Sequence, residues 1–108
     1  MSHDRIAALE RMRERNPGDT RVLFALAMEH EKTGDWNRVV ALLTEYLAAT
    51  DDQGNAWGRL GSALVQLGRS DEARNAYRRG IETATAHGHP SMAAEFEESL
   101  ESLDASQA

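Results

Sequence analysis

The sequence predicts an all-α chain built from pairs of antiparallel helices. Three observations carry that prediction. Apolar residues recur at i, i+3, i+4 and i+7, the spacing of one helix face, as in Trp57, Leu60, Gly61 and Leu64. Glycine marks the breaks between such stretches, at Gly18, Gly34, Gly54, Gly68 and Gly88. The pattern also repeats in phase: Leu23 and Trp57, Leu26 and Leu60, Ala27 and Gly61, and Gly34 and Gly68 are each 34 residues apart. A fixed period of that length with two helices per period is a repeat architecture.

The first helix spans Asp4 to Arg15, with Ile6, Leu9 and Met12 at helical spacing. Asn16-Pro17-Gly18-Asp19 breaks it, and Asp19 or Thr20 caps the next helix, which runs to about Thr33. Its core face is Leu23, Leu26, Ala27 and His30. Trp36 to about Ala49 is the antiparallel partner, with Val39, Val40, Leu42, Leu43, Tyr46 and Leu47 as its apolar set. A polar connector, Asp51 to Gly54, leads into the helix of Trp57. Gly61 in the middle of that helix costs roughly 1 kcal/mol against alanine. Close approach of a second helix is the compensation. Gly68 ends the helix. Ser70 supplies a capping side chain, and Asp71 and Glu72 place acids at the positive end of the next dipole. That helix runs to about Ala86 with Ala73, Ala76, Tyr77 and Ile81 inward. After His87-Gly88-His89, Pro90 opens a last helix to Leu103. A strict 34-residue count would turn Glu95 and Glu98 of that helix to the core. The apolar set Met92, Ala93, Phe96, Leu100 and Leu103 instead requires a register shift of about two residues. Residues 104–108 are expected to fray.

The two in-phase units resemble the tetratricopeptide repeat. Trp57, Leu60, Gly61, Gly68, Ala73 and Tyr77 match its pattern in the second unit, and Leu26, Ala27, Gly34, Asp35 and Trp36 in the first. Val39 and Tyr46 depart from it where the family favours small residues. The resemblance implies a right-handed solenoid of about six helices in one domain, 1–108. That domain comprises a half-repeat helix (4–17), two repeats (20–53 and 54–87), a capping helix (90–103) and a frayed tail.

The resemblance also implies a non-catalytic, scaffold-like module that binds a protein or peptide. In this family the first helix of each repeat lines a concave groove. Carried over residue by residue, the groove positions are Arg21, Phe24, Met28 and Glu31, then Asn55, Gly58, Arg59, Ser62, Val65 and Gln66. Phe24 and Met28 lie four apart on one helix face, off the core face, and Met92 and Phe96 extend the patch. An apolar peptide or helix is the expected occupant. The alternative is self-association, a homodimer using the same groove. The family's carboxylate clamp is unsupported, since Phe24 and Met28 stand where it needs lysine and asparagine.

Other chemistry is read down. The chain of 108 residues has a net charge of −6 and no cysteine, so thiolate nucleophiles and cysteine-ligated zinc are excluded. From Pro90 onward there are five acids and no base, which disfavours nucleic acid. No run is long and apolar enough for a membrane span, and a cytoplasmic protein without cofactor is expected. His87 and His89 beside acidic residues raise the thought of a divalent metal, but a His-Gly-His turn fixes no tetrahedral geometry, and no metal is expected. Gly54, Gly58 and Gly61 follow no strand and so make no phosphate loop. Gly58 leaves room for a ligand or a neighbouring backbone. The arginine clusters at 11, 13 and 15 and at 74, 78 and 79 lie among acids and read as salt-bridged faces, with docking onto another copy's acidic last helix as a secondary reading.

Overall fold

The computed structural model describes residues 2–106. Among these there are six helices and no strand: α1 (Ser2–Arg15), α2 (Thr20–Thr33), α3 (Trp36–Ala49), α4 (Asn55–Gln66), α5 (Ser70–Ala86) and α6 (Pro90–Ser106). The chain divides into two compact units, Met1–Thr50 and Asp51–Ala108, each holding three helices.

In the first unit, Asp19 caps α2: its carboxylate accepts the Arg21 N–H at 3.0 Å. Leu23, Leu26, Ala27 and His30 are buried as the spacing predicts, joined by Val22. Gly34 closes α2 in the left-handed region, and Asp35 caps α3 through the Arg38 N–H. From α3, Val39, Val40, Leu42 and Leu43 complete the core. Tyr46, out of pattern for its position, sets its ring 5.2 Å from that of Phe24. On α1 Leu9 is buried, and Met12 is 47% exposed. Met12 shares the helical spacing of Ile6 and Leu9, but the inward stripe of this helix is narrow and Met12 falls at its edge. Ion pairs fasten the helix instead, Arg13 to Glu45 at 2.7 Å, Arg38 to Glu10 at 3.3 Å and Arg5 to Glu29 at 3.2 Å.

Glu29 is the one buried carboxylate among the described residues. A hydrogen bond from Lys32 at 3.0 Å lowers its pKa below the ordinary glutamate value against the opposing cost of burial, and the charges of Lys32 and Arg5 add to the lowering. A carboxyl whose folded pKa lies below its unfolded one contributes stability that is present above the unfolded value. That contribution is lost as pH falls through the folded value. Glu29→Gln should therefore lower the denaturant midpoint at neutral pH and match the parent once pH is well below about 4. An equal deficit at both pH values would show that the charge of Glu29 is irrelevant.

In the second unit, the Asp52 carboxylate accepts the N–H groups of Gly54 (2.8 Å) and Ala56 (2.9 Å), satisfying the start of α4. Ala56, Leu60, Ala63 and Leu64 are buried against Ala73, Ala76, Tyr77 and Ala84 of α5. Gly61 is where the two helices meet: a Cβ there would stand 2.9 Å from the Tyr77 ring. Gly61→Leu should destabilise by about 1–3 kcal/mol, and an unchanged urea midpoint would refute the contact. Trp57 is half-buried rather than buried, with the Arg79 guanidinium 5.1 Å from its ring centroid. The α5 cap also differs from expectation. Arg69 is the N-cap residue, without a side-chain cap bond, and Ser70 is already helical. Arg69 pairs instead with Glu72 at 2.7 Å.

The register of α6 follows the apolar pattern. Ala93 and Leu103 are buried, Met92, Phe96 and Leu100 half-buried, and Glu95, Glu97, Glu98 and Glu101 exposed. The Phe96 ring lies where Cβ atoms on both Gly58 of α4 and Gly80 of α5 would collide with it. Gly58 therefore makes room for a side chain, not for a ligand or a backbone. The helix also continues to Ser106 instead of fraying from 104. Arg74 holds Asp104 at 2.7 Å and the Ser106 hydroxyl donates to the Leu103 carbonyl at 2.9 Å. The rest of the expected frayed tail, 107–108, is outside the described residues.

Candidate functional site

A cleft of about 510 Å³ opens on the second unit, bounded by Val65 of α4, Tyr77 of α5 and one face of α6. Its apolar part is made by Val65, Tyr77 and Leu103. Tyr77 and Leu103 are 6% and 7% exposed, whereas Val65 is 40% exposed. Tyr77 is fixed by Gly61 beneath it and by the Phe96 ring, whose centroid is 6.2 Å away. The α6 wall carries Glu95, Glu98, Ser99, Ser102 and Ser106. Their spacing of three and four residues puts them on one helix face. The Ser99 hydroxyl donates to the Glu95 carbonyl at 3.1 Å, and the Ser106 hydroxyl to the Leu103 carbonyl. Each hydroxyl oxygen, having given its proton, keeps lone pairs that can accept.

Of the residues expected at a partner surface, this cleft includes Val65 alone. Asn55, Ser62 and Gln66 are exposed elsewhere on α4, and Arg59 is half-buried. Met92 sits against Gly54, and Phe96 is spent on the glycine slot. In the first unit, Phe24, Met28 and Glu31 are half-buried on α2, and Arg21 is exposed and paired with Asp19 at 3.2 Å. Sequence reasoning missed Tyr77, Leu103 and the α6 wall. The signal was present in the run Glu95, Glu98, Ser99, Ser102, Ser106, which a helix gathers on one side. The histidines of the last turn make local bonds: His87 Nδ1 lies 2.9 Å from the Thr83 carbonyl and His89 Nε2 lies 2.6 Å from the Gln53 amide oxygen. Among the described residues no three His, Cys, Asp or Glu side chains group as a metal site, and no helix is long and apolar enough to cross a membrane.

Residues 54–87, which are the α4–α5 pair and its flanking turns, match the model of the tetratricopeptide repeat family. The α4–α5 pair is thus a tetratricopeptide repeat. No curated protein sequence matches it. Among solved structures it is similar to PcrH, in the crystal structure of that protein with the chaperone binding region of PopD. The TM-score there is 0.88 at 17% identity, over 99% of this chain and 81% of that one. A tetratricopeptide repeat domain protein from Salinibacter ruber gives a TM-score of 0.74 at 29% identity, over 83% and 91%. MamA gives 0.69 at 20% identity, over 91% and 66%. The PcrH and MamA likenesses are of fold. The fold class is therefore the all-α tetratricopeptide-like solenoid that the helix pattern predicts.

Proposed function

We propose that this tetratricopeptide-repeat chain is a non-catalytic protein-interaction module whose two units act as one domain. Its occupant is an apolar peptide or helix, held by the first helices of the repeats. Arg21, Phe24, Met28 and Glu31 of α2 and Asn55, Arg59, Ser62, Val65 and Gln66 of α4 offer the contacts. Met92 and Phe96 hold α6 against α4 and α5 within the second unit. The observation that carries this reading is Val65, an aliphatic side chain 40% exposed on the wall of a formed cleft. Support also comes from PcrH, a protein of the same fold whose crystal structure contains the chaperone binding region of PopD.

Selection of binders from a displayed peptide library, followed by titration of a selected peptide into isotope-labelled protein, tests the proposal. Amide shifts are expected at Val65, Tyr77 and Leu103 and along α2 at Phe24 and Met28. Val65→Asp should weaken binding about tenfold or more, the effect of roughly 1.4 kcal/mol, and leave the thermal midpoint unchanged because Val65 is exposed. Shifts confined to other surfaces, or binding indifferent to Val65→Asp, would refute the groove.

A further inference from the structure

We infer that the α6 cleft selects a basic amphipathic segment of a partner protein, with an arginine on Glu95 and Glu98 and an aliphatic side chain on Val65. The inference rests on the interaction-module reading and narrows its apolar occupant to an amphipathic one that also carries positive charge.

Four observations converge on it. Glu95 and Glu98 line the cleft and make no ion pair among the described residues. Asp104, further along the same helix, is by contrast already held by Arg74, which also contacts Asp71 at 2.8 Å. That arginine is engaged by two other carboxylates and does not neutralise the wall. The Ser99 and Ser106 hydroxyls give their protons to helix carbonyls, so this side of the cleft is rich in acceptors. A guanidinium, with five donors in a planar fork and no acceptor, is the complementary group. The surrounding charge has the same sense: residues 51–108 hold five more acids than bases, a field that draws cationic segments and repels acidic ones.

The rest of the cleft lining is apolar. Val65 stands exposed near the buried Tyr77 and Leu103. A segment that is only cationic would leave Val65 in water, and one that is only apolar would bury two carboxylates without partners, which is costly. The cleft therefore discriminates for a partner that carries both groups.

The test uses the whole 108-residue chain and the displayed library. Selected peptides should be enriched in arginine near an aliphatic residue and should carry net positive charge. Their affinity should fall steeply with added salt, because the charges sit at a solvent-accessible rim. Glu95→Gln with Glu98→Gln keeps shape and removes charge. It should weaken the selected peptides about tenfold or more and flatten the salt dependence, with circular dichroism unchanged. Selection repeated on Glu95→Arg with Glu98→Arg should return acidic peptides, a gain that a misfolded variant could not show. Peptides that shift Val65 yet carry no positive charge, or that bind the glutamine variant equally well, would overturn this inference and leave the interaction module standing. Failure to select any peptide that perturbs the cleft would overturn both. Saturation of the cleft by a second copy of the chain, seen as concentration-dependent sedimentation lost in the glutamine variant, would overturn the assignment to a separate partner.

Discussion

Phe96→Ala is expected to lower the unfolding free energy by about 3 kcal/mol or more. The ring occupies the slot that Gly58 and Gly80 leave open and meets the Tyr77 ring at 6.2 Å. Removing it vacates a volume that two helix backbones enclose and that neither can easily collapse into. The slot makes a sharper test. Gly58→Ala would raise helix propensity by about 1 kcal/mol were the site open. Its new methyl instead meets Phe96, and the ring has little room to swing away, because the Gly80 backbone closes off its other edge, so near that a Cβ added there would lie 2.8 Å from the ring. Gly58→Ala should therefore be destabilising by about 1–3 kcal/mol in the parent and neutral or stabilising in a Phe96→Leu background. The double-mutant cycle reads the coupling directly. Additive effects would mean that Phe96 is not in the slot.

Leu26→Ala in the first unit should cost about 2–5 kcal/mol. Leu26 is 0% exposed and sits among Leu23, Ala27, Val39 and Leu43, themselves at most 2% exposed. Leu43→Ala belongs to the same class, and Leu47→Ala on the half-buried edge of α3 should cost clearly less. Urea midpoints of the three variants check the order, and an equal loss at Leu47 would contradict the burial gradient.

Most of the fold was legible in the sequence because helix periodicity, glycine at breaks and the 34-residue offset act locally and agree with one another. The α2 and α3 boundaries and the Asp19 cap followed from such local signals, whereas the Asp35 cap of α3 became visible only in the fold. Ser70 misled because a good capping residue stood one position inside the helix, where Arg69 and Glu72 pair instead. Trp57 and Met12 misled because periodicity gives a side chain's direction and not its depth. The candidate site was harder to read. Val65 could be placed by family pattern, but the α6 wall depends on which neighbours cover the rest of that helix. Phe96 looked like spare apolar surface until its two glycine partners were known, and no linear spacing links Gly58, Gly80 and Phe96.

Trp57, half-buried beneath the Arg79 guanidinium, has an optical consequence. The chain's other tryptophan, Trp36, is half-buried at the first residue of α3. One indole thus belongs to each compact unit. In Trp36→Phe protein the emission spectrum follows residues 51–108, and in Trp57→Phe protein it follows residues 1–50. Red shifts recorded on the two versions against urea would then give a melting curve for each unit, and Phe96→Ala and Leu26→Ala each gain an intrinsic dye placed in the unit they perturb.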